Sequence, residues 1–240
     1  MLQFKPERTH LTDYATHQIS LCGKLLVADA SGSLYWPAER TLIVADLHLE
    51  KGSSFAARGI MLPPYDTRQT LQRLAEVIDR FDPRQVIALG DSLHDAGASG
   101  RIDASNLEML SILQEDRNWI WITGNHDPVI APEFGGHVLD QLVIGGIRFA
   151  HIPRAGRMAP EIAGHMHPAA RLSLYGHTIR RPCFVGNGRR LLLPAFGTFT
   201  GGVNVLHSSF LPLFGNDGMS VWMLGQEGIY PIATRHLCED

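Results

Sequence analysis

The feature that most constrains this chain is a repeated pattern in which a short apolar run leads directly into polar residues. Thr41 to Ala45 is apolar and β-branched, and it leads straight into Asp46 and His48. Two later runs repeat the pattern, Gln85 to Leu89 before the segment GDSLHD and Trp119 to Thr123 before the segment GNHD. Short apolar runs bounded by turn residues are typical of buried strands. We therefore predict that the polar residues lie where successive strands leave a sheet.

Helical patterns separate these strands, and strands alone dominate the second half of the chain. Apolar residues recur at helical spacing from Asp66 to Phe81, and Asp66 begins this stretch in the manner of a capping box. A second amphipathic stretch covers about Ala104 to Gln114. After about residue 138 the pattern changes to strands and turns, with Gly145-Gly146 marking a hairpin. We predict an α/β fold in a single domain over residues 1–240, with two packed mixed sheets flanked by helices.

Composition excludes several classes of protein. With 45% hydrophobic and 19% charged residues, the chain is neither disordered nor fibrous. No apolar run is long enough to cross a bilayer, and the first residues lack the apolar centre of a secretory signal, so we expect a cytoplasmic protein with no membrane partner. Three widely separated cysteines, Cys22, Cys183 and Cys238, argue against a disulfide framework and a zinc ribbon.

The formal charge of −3 predicts no general basic surface, so any contact with nucleic acid must be local. Arginines do gather in the carboxyl half of the chain, at positions Arg154, Arg157, Arg171, Arg180, Arg181, Arg189 and Arg190. Two interpretations stay open for this group: a solvated face, or a rim that contacts phosphates. If it is a rim, Arg180 and Arg181 are its candidate substrate-binding residues.

The polar residues after the strands have the chemistry of a metal site. In open α/β sheets, ligands bind at the carboxyl ends of the strands, so residues distant in sequence meet there. Asp46 and His48 point the same way if their segment is extended. The carboxylates, imidazoles and carboxamide suit a pair of divalent ions such as Mn, Fe or Zn, whereas a purely structural zinc site would be expected to use thiolates. Two cations about 3.5 to 4 Å apart need a bridging carboxylate, and Asp91 is the candidate.

The motifs DLH, GD, GNHD and GHMH, in this order, resemble those of the calcineurin-like metallophosphoesterase superfamily. The resemblance implies that family's β-sandwich, with the metals at the carboxyl ends of the strands. It implies one metal bound by Asp46, His48, Asp91 and His167, and a second bound by Asp91, Asn125, His151 and His165. His126 matches the family's catalytic histidine, which assists a hydroxide held between the metals as it attacks phosphorus.

Longer strings resemble one branch of this superfamily, the bacterial ligase-associated DNA damage response endonucleases, which are Mn-dependent phosphodiesterases. These strings are VADLHLEKGSSFAARG, LPPYDT, ALGDSLHD, GNHDP, GHMHP and PAFGTFTGG. The branch implies a DNA endonuclease that acts in repair, with a DNA ligase, a helicase and an exonuclease as partners. Two alternatives stay open: a phosphodiesterase of small molecules or cyclic nucleotides, and a metal-poor interaction scaffold, against which the intact ligand set argues.

Several further polar residues lie near the motifs. His94 and Asp95 depart from the Asp-Arg-Gly that phosphoprotein phosphatases have in this motif, which argues against a phosphoprotein substrate. Either supports of the metal ligands or direct substrate contacts fit these two residues. Asp127 is interpreted as a helix cap or a turn former. His177 lies in GHTIR, which lacks the second histidine of GHMH. A loop rich in Gly and Pro is predicted to follow the first motif, through Pro63-Pro64. Two interpretations stay open for Glu50 and Lys51: they order this loop, or they form a solvated ion pair, which is favoured.

Overall fold

The computed structural model describes residues 15–156, 159–174, 176–215 and 218–240. The first group of strands is β1 Thr16–Leu21, β2 Lys24–Asp29, β3 Leu34–Trp36, β4 Thr41–Val44, β5 Gln85–Leu89, β6 Asn118–Ile122 and β7 His137–Leu139. The second group is β8 Gln141–Ile144, β9 Ile147–Ala150, β10 Glu161–Ala163, β11 Pro168–Leu174, β12 His177–Gly186, β13 Arg190–Leu192, β14 Val203–Asn204, β15 Ser220–Leu224 and β16 Ile229–Ile232. The helices are α1 Lys51–Ala56, α2 Asp66–Phe81, α3 Ala104–Gln114 and α4 Leu211–Phe214.

The first sheet has seven strands in sequence order, from β1 to β7. Its first four strands are antiparallel, whereas β4, β5, β6 and β7 run parallel. Parallel strands need crossovers, and α2 and α3 supply those between β4, β5 and β6. The carboxyl ends of these three strands therefore lie side by side, and each delivers one of the polar motifs to the same edge.

The second sheet contains β8 to β16 and is mixed. Its strands β9, β10 and β13 are parallel, with Ala150 paired to Ala163 and Ala163 paired to Leu192. The segments that follow β9 and β10 carry His151, His165 and His167. This sheet thus sends its own polar residues to the edge where the motifs of the first sheet end.

Three apolar clusters hold the layers together. Alternate residues of β4, β5 and β6 pack against β9, β10 and β13 between the sheets, while the intervening residues pack under α2 and α3. A third cluster lies on the outer face of the second sheet, where Phe210 and Phe214 cover Val185. Because both faces of the central strands are buried, their apolar runs are continuous rather than alternating. The predicted fold class, an α/β sandwich of two mixed sheets with flanking helices, is confirmed.

Two local predictions were wrong. Asp66 does not cap its helix: Tyr65 occupies the cap position without a side-chain cap bond, and the Asp66 carboxylate accepts a hydrogen bond from the Gly52 backbone N–H at 2.9 Å. The segment after the first motif was predicted to be a loop, yet Lys51–Ala56 forms α1. Burial of Gly52 and Ser54 within the fold overrides the poor helix propensity of glycine and serine.

No helix in the described part of the chain combines the length and the apolar character that a membrane span requires. The single-domain interpretation of residues 1–240 stays a prediction.

Candidate metal centre

The first ligand cluster consists of Asp46, His48 and His167, which come from opposite sheets. The Nε2 atoms of His48 and His167 lie 3.3 Å apart, and His167 Nε2 lies 3.2 Å from Asp46 Oδ1. Asp46 and His48 follow β4, whereas His167 precedes β11. The carboxylate and both imidazoles thus direct their donor atoms at one point, with all three atoms within 4.8 Å of one another.

The second ligand cluster consists of Asp91, His151 and His165, with Asn125 beside it. His151 Nε2 lies 3.3 Å from Asp91 Oδ2, 3.0 Å from Asn125 Oδ1 and 3.1 Å from His165 Nδ1. Asp91 follows β5, Asn125 follows β6 and His151 follows β9. Four atoms with lone pairs therefore converge from four different segments.

Asp91 lies between the two clusters. Its Oδ2 atom is 3.3 Å from His151 Nε2 in the second cluster and 3.9 Å from His48 Nε2 in the first. Its Oδ1 atom accepts a hydrogen bond from the His126 backbone N–H at 2.9 Å. Burial opposes ionisation, but the hydrogen bond and charge of His151 and the bond from His126 lower the pKa of Asp91 to about 2. The side chain is a carboxylate at neutral pH, in the position that a bridging ligand requires.

Backbone carbonyls fix which nitrogen of two histidines points at the clusters. His151 Nδ1 donates to the Leu89 carbonyl at 2.9 Å, and His167 Nδ1 donates to the Gly201 carbonyl at 3.2 Å. A carbonyl accepts only, so the proton of each neutral ring lies on Nδ1 and the Nε2 lone pair faces the cluster. Metal-binding histidines are commonly oriented by such a bond on the other nitrogen.

The charge balance of both clusters favours added positive charge. Burial would lower the pKa of His151 and of His167, yet hydrogen bonds to Asp91 and Asp46 respectively raise both values. Burial, and then the proximity of His167, lowers the pKa of His48 to about 3. Lone pairs that face each other at hydrogen-bond distance are favourable only around a proton or a cation. Imidazole nitrogens with carboxylate and amide oxygens suit divalent transition metals, so these residues fit such ions.

The backbone at these ligands is left-handed, which the sequence did not predict. Asp46 and His48 have φ values of 54° and 44°, and Asp91, His165 and His167 are also positive. The expectation that Asp46 and His48 converge because their segment is extended was therefore wrong. Their side chains converge on a backbone in which both residues are left-handed and which continues beside the segment after β5. Non-glycine residues in this region are uncommon and concentrate at functional sites.

A model of the calcineurin-like phosphoesterase family matches residues 39–197, about two thirds of the chain, and contains every residue of both clusters. The chain belongs to the calcineurin-like phosphoesterase family. Among solved structures, the Pseudomonas putida nuclease MPE is 30% identical, with a TM-score of 0.69, over 90% of this chain and all of that one. The phosphoesterase Yfce from E. coli is 13% identical, with a TM-score of 0.39, over 80% of this chain and 98% of that one. No curated protein sequence gave a match.

Membership of the calcineurin-like phosphoesterases confirms the predicted family and the predicted enzyme class. The protein is a metal-dependent hydrolase of phosphate esters. The scaffold alternative is therefore not retained. The individual ligand assignments stay predictions, although the fold does bring Asp46, His48, Asp91, Asn125, His151, His165 and His167 together.

The predicted catalytic histidine of this phosphoesterase lies at the exposed side of the clusters. His126 Nδ1 donates to the His94 carbonyl at 2.9 Å, and its Nε2 lies 4.0 Å from Asp91 Oδ2. The imidazole of His94 stacks on that of His126, with ring centroids 5.4 Å apart at 19°. His94 Nδ1 also lies 3.4 Å from His48 Nδ1. Burial, followed by the charges of Lys51 and His126, lowers the pKa of His94 to about 4. His94 therefore contacts both a candidate ligand and the candidate catalytic residue.

Asp127 has a larger structural role than the sequence predicted. It is fully buried and caps no helix. Its carboxylate accepts four backbone hydrogen bonds, from Asp91, Ser92, Leu93 and Gly124. Burial raises the pKa of Asp127 to about 6, against these bonds. Asp127 therefore joins the loop that carries Asp91 to the loop that carries Asn125. In the sequence, only the position of Asp127 within the motif GNHD indicated a role at the site.

The arginines do not form one surface. Arg180 and Arg181 line a pocket of about 130 Å³ together with His167 and Gly201, which places them beside the first cluster.

Arg190 instead is buried and forms an ion pair with Glu161 at 2.5 Å, so it belongs neither to a solvated face nor to a rim. Arg171 and Arg180 face each other across β11 and β12; Arg171 donates to the Glu239 carbonyl and Arg180 to the Asp240 carboxylate. Arg157 lies outside the described residues.

The remaining candidates lie outside the clusters. His177 begins β12 at the exposed end of its hairpin, opposite Leu174. Asp95 pairs with Arg101 at 2.6 Å and accepts from the Gly97 N–H, so it orders its own loop, and none of its hydrogen bonds in the described chain reaches a candidate ligand. The sequence pattern alone had left both roles open.

Proposed function

We propose that this phosphoesterase is a two-metal phosphodiesterase that cleaves DNA internally, with Mn²⁺ as its cation and DNA repair as its cellular role. The observation that carries the proposal is the pair of ligand clusters that face each other across Asp91. The proposed ligands of one ion are Asp46, His48, Asp91 and His167, and those of the other are Asp91, Asn125, His151 and His165. The similarity to the Pseudomonas putida nuclease over its whole length supports a nucleic acid as the substrate, and the choice of DNA follows from the sequence resemblance.

Divalent cations, when bound, neutralise phosphate charge and lower the pKa of water, so that a nucleophile is available near neutral pH. The residues of the chain supply orientation and proton transfer. The Nδ1–H of His126 donates to the His94 carbonyl. When the His126 ring is an imidazolium, its other N–H, on Nε2, is therefore available to donate to the substrate. That proton would go to a phosphoryl oxygen or to the leaving oxygen. His126 is 43% exposed, so a substrate can reach it.

We propose His94, Arg180 and Arg181 as substrate contacts. Arg181 lines the pocket beside His167 and donates only to the Arg180 carbonyl within the described chain. Arg180 binds Asp240 at 3.1 Å and the Gly202 carbonyl, so its guanidinium is held in place at the pocket. Guanidinium groups bind phosphates through several parallel hydrogen bonds. A phosphate next to the cleaved one would fit this position.

The repair setting and its partners rest on the sequence resemblance alone. A DNA ligase, a helicase and an exonuclease as partners, and a cytoplasmic location, stay predictions.

The experiment that tests the proposal measures turnover after reconstitution with Mn²⁺, for the wild type and Asp91→Asn. The substrates are an artificial phosphodiester, single-stranded DNA, duplex DNA and a cyclic nucleotide. We expect DNA cleavage that disappears in Asp91→Asn, because both ion sites lose a charged ligand. Hydrolysis of the small diesters without any DNA cleavage would contradict the proposed substrate and favour small nucleotides. Absence of turnover with Mn²⁺, Fe²⁺ and Zn²⁺ would overturn the proposal.

A further inference from the structure

Lys51, the first residue of α1, is a half-buried cation without a carboxylate partner among the described residues. The expected ion pair with Glu50 is wrong, because Glu50 is buried and accepts hydrogen bonds from Thr67 at 2.9 Å and Ser53 at 2.6 Å. The Lys51 Nζ atom instead lies over the Phe55 ring, 5.9 Å from its centroid. Burial lowers the pKa of Lys51, and the charge of the Asp66 carboxylate opposes this without coming within ion-pair distance. The Lys51 charge is thus partly removed from water and only partly balanced.

Arg58 lies against the same ring. Its guanidinium carbon is 5.1 Å from the Phe55 centroid, and its Nε and Nη2 atoms donate to the Ser54 carbonyl and hydroxyl. These are neutral acceptors, and the described residues offer Arg58 no carboxylate within ion-pair distance. Two cations therefore flank one aromatic side chain. We call Lys51, Phe55 and Arg58 the Phe55 group.

The Phe55 group borders the metal clusters directly. The Phe55 ring centroid is 5.7 Å from that of His94, and the His94 centroid is 5.4 Å from that of His48. The His48 centroid is in turn 5.2 Å from that of His167, which lines the pocket of Arg180 and Arg181. The two basic positions are thus connected through a series of neighbouring rings that includes His48, a candidate metal ligand.

We propose that Lys51 and Arg58, held against Phe55, bind a phosphate of a nucleic-acid strand that neighbours the cleaved phosphate. This inference rests on the proposed phosphodiesterase function and names the substrate class of the same site. A small diester carries a single phosphate, which would bind at the metal clusters. A nucleic-acid strand instead carries one phosphate charge per nucleotide. Lys51, Arg58 and Arg181 have no carboxylate partner within ion-pair distance among the described residues, and only the second kind of substrate offers phosphates beyond the cleaved one for them to bind. The Phe55 group and the Arg180–Arg181 pocket therefore select a continuous strand over a small diester.

The test removes the two charges and keeps the side-chain volume, with Lys51→Met and Arg58→Gln, alone and together. Lys24→Met is the matched control, because Lys24 Nζ also lies 5.9 Å from an aromatic centroid, that of Trp36, but in the β1–β2 hairpin. Each Mn²⁺-loaded protein is assayed on a single-stranded oligonucleotide and on bis(4-nitrophenyl) phosphate. Oligonucleotide affinity is measured over a range of salt concentrations with Ca²⁺ in place of Mn²⁺. Thermal unfolding checks that each variant is folded.

We expect each variant of the Phe55 group to raise KM for the oligonucleotide about tenfold, as for the loss of one charge-assisted hydrogen bond. The slope of log affinity against log salt should fall by about 0.7 for each charge removed. The ratio of oligonucleotide to small-diester turnover should fall in these variants and stay unchanged in Lys24→Met. Equal losses on both substrates would overturn the inference, because they would indicate disturbed packing of His94. An unchanged salt slope would also overturn it.

The wild type distinguishes a failure of the inference from a failure of the proposed function. A wild type that hydrolyses neither substrate refutes the phosphodiesterase, whatever the variants do. A wild type that cleaves the oligonucleotide, together with variants that match it in KM and slope, refutes the role of the Phe55 group alone.

Discussion

Asp127→Asn offers the sharpest test of how the candidate metal centre is built. The native carboxylate is 0% exposed and accepts two backbone hydrogen bonds on each oxygen. Oδ1 accepts from Asp91 at 3.0 Å and Gly124 at 2.8 Å, and Oδ2 accepts from Ser92 at 2.6 Å and Leu93 at 3.0 Å. An amide keeps one acceptor oxygen and turns an NH₂ group toward the other two N–H donors. Two buried backbone donors therefore lose their partners.

The magnitude follows from that count. Each buried donor left without a partner costs about 1 to 3 kcal/mol, so the two together cost roughly 2 to 6 kcal/mol. A neutral amide avoids the burial penalty that raises the pKa of Asp127 to about 6. We therefore expect the free energy of unfolding to fall by the lower part of that range, about 2 to 4 kcal/mol. The loop that carries Asp91 should also loosen, and Mn²⁺ affinity should fall by about 10- to 100-fold.

Urea unfolding in EDTA measures the first effect without metal, and calorimetric titration with Mn²⁺ measures the second. Asp140→Asn is the control, because Asp140 is exposed and accepts only a 3.2 Å bond from Thr123 in the described chain. It should stay within about 0.5 kcal/mol of the wild type. If Asp127→Asn also stays within that margin, the four backbone bonds do not hold the site together. If stability falls but Mn²⁺ affinity is unchanged, Asp127 supports the fold without positioning Asp91.

Three further changes probe other parts of the structure. Gly124→Ala should abolish metal-dependent turnover, because a Cβ there would lie 2.2 Å from Asp91 Oδ1. Gly100→Ala is the control and should stay active, because its Cβ would have no neighbour within 4 Å. In His126→Ala, turnover should fall by about 10²- to 10⁴-fold, while elemental analysis should find the metal content unchanged. Loss of the metal from this variant would mean that His126 is a ligand instead. Glu161→Ala should lower the free energy of unfolding by about 3 to 5 kcal/mol, because it leaves Arg190 buried without a counter-charge. A decrease of less than about 1 kcal/mol would contradict the stabilising role of this ion pair.

Elements with a strong local pattern were predictable from the sequence. The bounds of Asp66–Phe81, Gln85–Leu89 and Ala104–Gln114 agree with the prediction, because apolar spacing reports burial directly. The convergence of the polar motifs followed from the rule that parallel strands end at one edge. Neither inference needed the distance between any two side chains.

Interactions that depend on a distant backbone were not predictable. Asp66 matches a capping box in sequence, yet it binds Gly52, fourteen residues away. Glu50 and Lys51 are adjacent in sequence, but their side chains do not pair, because the Glu50 carboxylate accepts hydrogen bonds from the Thr67 and Ser53 hydroxyls. The only early trace of the Phe55 group was its spacing of four and three residues, which places the three side chains on one face of a helix. Spacing of this kind is too common to indicate a site by itself.

The left-handed ligands indicate how the fold and the metal centre depend on each other. Asp46, His48, Asp91, His165 and His167 all have positive φ, and each such residue costs about 1 to 3 kcal/mol. Together they approach the net stability of a whole domain, about 5 to 15 kcal/mol. Glycine would relieve the strain but would remove the ligand. The apolar clusters on both faces of the central strands must therefore stabilise these turns before any cation binds. A site of this kind is preorganised by burial elsewhere in the molecule, and for that reason its geometry does not follow from the local sequence of the motifs.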